Sequence, residues 1–287
     1  MPVRGKIGVG SRDPASENEF AAIHATLMGN SVIKRIVLKF GSGILANPRG
    51  TNLDQRQFAR LAREIAVLVS CGQEVIVVSS GAVAAGLGSL GLKDRPEDLA
   101  TRQACAAVGQ GRLMACYTEH FARHGLTVAQ LLLTHADIDS RIAYANIRNT
   151  LSRLLAHRVV PIVNENDTVA VEELKFGDND RLSADVAILA EANLLILLTS
   201  VDGLLDAKGR TLTRVDDVEQ VAKFVRQEKG RLSVGGMSTK LQAVRAAVEA
   251  GIPTVVASGR KAGQIVRAAA GKPAGTYFPP LVPLQAQ

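Results

Sequence analysis

Aromatic residues are scarce in this chain, at 3% of 287 residues, and that scarcity argues against one class of function at the outset. Proteins that hold single-stranded nucleic acid stack its bases on exposed rings, and no stacking platform can be picked out. The net charge of +7, from 34 Lys and Arg against 27 Asp and Glu, suits anionic ligands. The basic residues are nevertheless scattered rather than gathered on one helix for a groove, so no nucleic-acid partner is expected. Cysteine is equally sparse. Cys71, Cys105 and Cys116 form an odd set without a close pair, which argues against a disulfide framework and a zinc site and fits a reducing cytosol. They read as small buried apolar residues. Long apolar runs are missing too: no segment reaches the roughly 20 residues that a membrane-spanning helix needs. The first 31 residues are rich in Gly, Ser and charge, with only Phe20 to Met28 periodic enough for a weak helix. They lack the uninterrupted apolar run of a secretory signal and carry Asp13, Glu17 and Glu19, which a transit peptide would not. The expectation is a cytoplasmic protein without a membrane partner, with a flexible extension over residues 1–31 ahead of one catalytic domain over residues 32–287.

What is present is alternation. With 47% hydrophobic residues the chain can bury one large core. Apolar runs expected as strands are Ile36–Phe40, Val75–Val78, Leu126–Leu133, Val159–Val163, Leu194–Leu198 and Thr254–Ala257. Between them lie helical patterns, among them Phe58, Leu61, Ala62, Ile65, Leu68 and Val69 on one stripe, Arg141–His157 and Leu182–Ala192. Strands that are β-branched on both faces are buried on both faces, as parallel strands under helices are. The fold class is therefore α/β, a three-layer αβα sandwich with a central, mainly parallel sheet and its site at the carboxyl ends of the strands.

Every polar motif falls at such an end. Residues 164–184 place six acidic and three amide side chains directly after the fourth apolar run. Asn164, Glu165, Asn166 and Asp167 leave the strand, Thr168 to Phe176 alternate well enough for a short hairpin, and Gly177 to Asp180 turn into a helix. Amides can bind both ends of a zwitterion, and carboxylates bind ammonium groups or Mg²⁺; the same residues are also ordinary turn formers and caps. Lys39-Phe40-Gly41-Ser42-Gly43 ends the first strand with a cation and two glycines, an arrangement suited to an oxyanion. Ser79-Ser80-Gly81-Ala82 ends the second; it reads either as a serine N-cap or as a holder of a carboxylate or phosphate. Leu198-Thr199-Ser200-Val201-Asp202-Gly203 leaves the fifth strand with small hydroxyls that could bond a nucleotide, although Asp202-Gly203 is also a common turn. Gly235-Gly236-Met237-Ser238-Thr239-Lys240 opens a helix as an anion cradle. Its lysine opposes the helix dipole, which argues for an anion nearby. No Walker A order can be read around it, and no Gly-x-Gly-x-x-Gly follows the first strand. Two lysines, an anion cradle and an acidic loop at the ends of one sheet fit phosphoryl transfer, which needs in-line positioning and charge neutralisation rather than a covalent nucleophile.

The order Lys-Phe-Gly-Ser, Ser-Ser-Gly-Ala, Val-Asn-Glu-Asn-Asp, Gly-Asp-Asn-Asp-x-Leu-Ser-Ala, Leu-Leu-Thr-x-x-x-Gly-Leu and Gly-Gly-Met-Ser-Thr-Lys closely resembles the glutamate 5-kinases of the amino acid kinase superfamily, over about residues 35–280. The paired acidic and amide loops, with Ala107-Val108-Gly109-Gln110, carry the resemblance to that family rather than to the wider superfamily. It implies transfer of the γ-phosphoryl group of ATP, accompanied by Mg²⁺, to the side-chain carboxylate of L-glutamate, giving γ-glutamyl phosphate for proline synthesis. It further implies that Lys39 and Lys240 neutralise the transferring group and that Asp180 holds both lysines. Ser80, Asp167 and Asn179 would bind glutamate. Lys39, Thr199, Ser200 and the stretch Gly235, Gly236, Met237, Ser238, Thr239 and Lys240 would contact ATP, with no metal ligand assigned to the protein. Proline as feedback inhibitor, γ-glutamyl phosphate reductase as a candidate partner and a homo-oligomer belong to the same expectation.

Three departures stand out. Ser200 occupies a place where aspartate is common in the family and Val234 one where threonine is common, and, with the sequence ending near Gln287, the carboxyl-terminal PUA domain of many bacterial members is expected to be absent. An acetylglutamate or uridylate kinase would share the fold and Lys39 but lack the paired loops. A noncatalytic ligand sensor on this fold would be favoured by loss of Lys39, Lys240 or Asp180, and all three are present.

Overall fold

Along β1 (Arg35–Phe40) the side chains alternate between two separate cores: Ile36, Leu38 and Phe40 belong to one, Val37 to the other. That period of two on a strand buried from Ile36 onward requires helices on both faces. The computed structural model describes Leu27 and residues 34–170, 179–206, 208–221 and 236–281. Its strands β1, β2 (Glu74–Ser79), β3 (Val128–Leu133), β4 (Val160–Glu165), β5 (Leu194–Thr199), β6 (Thr254–Ser258) and β7 (Thr276–Phe278) form one sheet in the order β3-β4-β2-β1-β5-β6-β7. All neighbours run parallel except β7, which is antiparallel to β6. The helices described are α1 (Ser42–Leu45), α2 (Gln55–Ser70), α3 (Ala82–Ser89), α4 (Leu99–Ala122), α5 (His135–Asp139), α6 (Arg141–Ala156), α7 (Asp180–Leu189), α8 (Gly236–Glu249) and α9 (Gln264–Ala269). One core joins the sheet to α2, α4 and α9, and the other joins it to α6, α7 and α8. This is the expected three-layer sandwich.

Local chemistry sets the helix ends. The Asp54 carboxylate accepts from the amides of Arg56 and Gln57 to start α2, satisfying donors that have no intrahelical partner. Phe58, Leu61, Ala62, Ile65 and Leu68 form its buried stripe. Two glycines allow α3 and α4 to cross with their backbones nearly touching. A Cβ added to Gly109 would lie 1.8 Å from the Ala82 carbonyl oxygen, and one added to Gly86 would lie 1.9 Å from that of Cys105. The Ala107–Gln110 segment is thus a contact surface for the helix that opens at Gly81.

Several expected boundaries move. β4 continues through Glu165, because the Asn166 amide still donates to the Leu133 carbonyl of β3; polar side chains can end a buried strand when they find partners inside. β3 begins at Val128 rather than Leu126, α7 starts at Asp180 and ends at Leu189, and α6 ends at Ala156. Helix α9 and the three-residue β7 were not anticipated; β7 is too short to show a period. In the segment expected to form a hairpin, the Asn166 carbonyl accepts from the amides of Val169 and Ala170, making a turn, and residues 171–178 lie outside the described residues. So do residues 1–26 and 28–31 of the expected extension, together with residues 32–33, but Leu27 within the extension is 4% exposed and joins the first core. Cys105 and Cys116 are buried as expected, whereas Cys71, at the end of α2, is only partly so. Among the described residues no helix is long and apolar enough to cross a membrane.

Candidate active site

The period of β1 also decides where its lysine goes. Lys39 shares the parity of Val37, so it points to the face covered by α7 and α8. There it is 1% exposed, and its Nζ lies 2.5 Å from Asp180 Oδ1. Asp180 is the first residue of α7, where a negative charge suits the helix dipole, and is fully buried. Its other oxygen, Oδ2, receives Lys240 Nζ at 2.9 Å from one turn inside α8. The counter-charge that offsets the placement of Lys240 against its helix dipole is therefore Asp180. One carboxylate holds two ammonium groups from two different elements, each on its own oxygen.

A second polar network lies on the opposite face. Asn179, just before Asp180, donates from Nδ2 to the Ser79 carbonyl at 2.5 Å and to Asn164 Oδ1 at 2.7 Å. A backbone carbonyl can only accept, so the amide orientation is fixed and Asn179 Oδ1 is left as an acceptor. Asn164 Nδ2 in turn donates to Gln110 Oε1 of α4 at 2.8 Å. The Ser79 hydroxyl pairs with the Tyr117 hydroxyl at 2.9 Å; burial pushes the Tyr117 phenol up, so it stays neutral and available for that bond. These contacts tie β2, β4 and α4 around the turn at Ser80 and Gly81. Gly81 has φ +107, a conformation that favours glycine, and it opens α3 with free amides.

The ends of β1, β2 and β4, adjacent in the sheet, enclose a cavity of about 400 Å³, a size common for small-molecule sites. Ser80, Asp167 and Asn179, expected to bind substrate, all line it, together with Asn164. Lys39 lies next to its wall, since a Cβ on Gly41 would be 3.6 Å from Lys39 Nζ, and the next two residues, Ser42 and Gly43, line the cavity. Four cations on its wall were not singled out from the sequence: Arg49, Lys93, Arg95 and Arg260. Arg260 follows β6 at a strand end, the same signal that marked the other motifs.

The residues expected to contact ATP fall elsewhere. Thr199 is buried at the end of β5, Ser200 is exposed, and neither lines the cavity. β5 and β6 lie on the other side of β1 from β2 and β4, so Lys39 stands between the two groups. Gly236, Met237, Ser238 and Thr239 form the first turn of α8, and Met237 also packs against the second core. The Thr239 hydroxyl lies 3.4 Å from Asp180 Oδ2. Gly235 and Val234 lie outside the described residues. Among the described residues, no group of three or more His, Cys, Asp and Glu is arranged to hold a metal ion.

The amino acid kinase family model matches residues 34–258. Relatives named glutamate 5-kinase include a protein of Thermus thermophilus, 49% identical over 251 residues covering 85% of this chain and 67% of that protein. Another from Thermobifida fusca is 48% identical over 254 residues, covering 86% and 64%. A third from Citrifermentans bemidjiense is 46% identical over 255 residues, covering 86% and 68%. The chain spans about two thirds of the length of these relatives. With the family match over most of its length and a parallel sheet that buries a lysine–aspartate–lysine bridge at its carboxyl edge, the chain belongs to the amino acid kinase family.

Proposed function

We propose that the protein transfers the γ-phosphoryl group of ATP to the side-chain carboxylate of L-glutamate, the activity of a glutamate 5-kinase and the first step of proline biosynthesis. The observation that carries this reading is the Asp180 bridge, which holds Lys39, next to the cavity wall, and Lys240, one turn inside α8, on its two oxygens. Phosphoryl transfer depends on positioning and on neutralising charge over the phosphoryl oxygens, and two fixed ammonium groups suit that task. In the cavity, Asp167 would pair the ammonium of glutamate, while the Asn179 acceptor and Ser80 would orient it. A carboxylate facing the amino end favours a free amine over an acetylated one, which separates this reading from an acetylglutamate kinase.

Thr199, Ser200 and the first turn of α8 would hold ATP, since the leading amides of a helix have no intrahelical acceptor. Both Asp180 oxygens face ammonium groups, so Mg²⁺ would take its ligands from phosphate oxygens and water. When bound, Mg²⁺ and ATP supply the phosphoryl group and spread its charge. The reading includes a cytoplasmic, homo-oligomeric enzyme that hands a labile acyl phosphate to γ-glutamyl phosphate reductase. ADP release that depends on L-glutamate tests it; release that instead needs N-acetylglutamate or UMP contradicts it.

Two predictions follow from the cavity. Asp167→Asn should raise the KM for glutamate and largely spare that for ATP; a raised KM for ATP instead would assign the acidic loop to the nucleotide side. Proline keeps the α-carboxylate and α-nitrogen of glutamate but has no second carboxylate to phosphorylate, so it should inhibit by occupying the same clamp. Initial rates at several proline concentrations check this: inhibition relieved by excess glutamate is expected, and inhibition indifferent to glutamate contradicts a shared pocket.

A further inference from the structure

Arg260 stands on a short loop after β6 that is anchored from a neighbouring helix. The Gly259 amide donates to the Thr199 carbonyl at 2.7 Å, and a Cβ on Gly259 would meet Ile44 at 2.9 Å, so the loop lies tight against α1 and β5. From α2, Arg60 donates to the carbonyls of Gly259 and Lys261, the latter at 3.0 Å. Glu64, one turn further along and 2% exposed, accepts from Arg60 Nη1 at 2.9 Å, from the Gly263 amide at 3.0 Å and from the Ile265 amide at 3.2 Å. Gln57 steadies the Arg60 head at 3.1 and 2.7 Å. Burying a carboxylate is costly unless its lone pairs are satisfied, and here Arg60 and the Gly263 and Ile265 amides satisfy those of Glu64, while the partly exposed Arg60 bonds the carbonyls on both sides of Arg260.

What the loop presents is a guanidinium that touches the Gly43 carbonyl in α1 and lines the acceptor cavity. Its neighbour Lys261 is paired with Asp202 at 2.7 Å. Among the described residues no carboxylate pairs with Arg260. The cavity it lines contains Ser80, Asn164, Asp167 and Asn179, while Lys39, Asp180, Lys240 and Thr199 are not part of its wall.

We propose that Arg260 holds a carboxylate of the acceptor substrate and that the Arg60–Glu64 pair is its positioning device, an inference that rests on the glutamate reading above. Asp167 takes the cationic end of the acceptor and Arg260 an anionic one, so the cavity reads both charges of an amino dicarboxylate. Steady-state kinetics of the wild type, Arg260→Ala, Arg260→Lys, Glu64→Gln and the Glu64→Gln/Arg260→Ala double variant test this. Loss of a charge-assisted bond should raise the KM for glutamate about tenfold or more in Arg260→Ala. The KM for ATP and the unfolding temperature should stay near wild type, because Arg260 is exposed, and Arg260→Lys should recover part of the loss. Glu64→Gln should raise the same KM, and in the double variant it should add little to Arg260→Ala, since a positioning residue acts only through the group it positions. If Glu64→Gln does not fold, Gln57→Ala, which only loosens the Arg60 head, replaces it. An unchanged KM for glutamate in Arg260→Ala, a raised KM for ATP instead, or full additivity in the double variant overturns the proposal. A wild type without glutamate-dependent turnover overturns the glutamate reading and this inference together, whereas failure of the inference alone appears only in the variants.

Discussion

Replacing Lys39 or Lys240 by alanine is expected to lower kcat by roughly 10²-fold or more while changing the substrate KM values far less. As the bond to the leaving phosphate lengthens, negative charge moves among the phosphoryl oxygens, and a fixed cation in a water-poor site stabilises that redistribution more than it stabilises either bound reactant. Lys39 is 1% exposed and Lys240 is 12% exposed, and each is held at one Asp180 oxygen, so neither must reorganise during the step. Steady-state kinetics of the two single variants check the expectation. Near-normal turnover in both would remove them from catalysis.

Asp180→Asn should damage stability as well as rate. The carboxylate faces Lys39 on Oδ1 at 2.5 Å and Lys240 on Oδ2 at 2.9 Å. An amide of the same shape offers one acceptor and turns an NH₂ group toward the other ammonium, and it removes the negative charge from both. Breaking a buried pair by neutralising one partner costs about 3–5 kcal/mol, because it leaves buried charge uncompensated. Denaturant unfolding should show that loss, and turnover should fall by at least as much as in the lysine variants, since both cations lose their anchor. A variant with wild-type stability would mean that the lysines relax into solvent, and the bridge would then have no structural role.

Much of this site was legible because strand ends and strand parity are legible. Lys39 lies in a run whose alternation assigns it to a face, and Asp180 stands at the start of an apolar helix, so both positions follow from periods of two and of 3.6 residues. That both contact each other does not follow, since it depends on β1 and α7 meeting across 141 residues of chain. Three of the four cations of the cavity were illegible for a different reason. Arg49, Lys93 and Arg95 sit in loops whose course is set by tertiary packing, and an arginine in a polar loop looks like any solvated residue. Arg260 carried a usable signal, its place at the end of the sixth strand, but its fixation by Arg60 and Glu64 comes from a helix about 200 residues earlier in the chain. The polarity of the Asn179 amide was likewise hidden, because it is dictated by the Ser79 carbonyl 100 residues away. Helix α9 and strand β7 escaped notice because six and three residues give too little sequence for a period to emerge.

The measurement that bears most directly on the account is ATP-dependent hydroxamate formation in the presence of hydroxylamine, which traps an acyl phosphate as it leaves the site. With L-glutamate the account predicts γ-glutamyl hydroxamate, absent without ATP and sharply reduced in Lys240→Ala, and little product from aspartate or N-acetylglutamate. No hydroxamate from glutamate, or as much from either control, would contradict it.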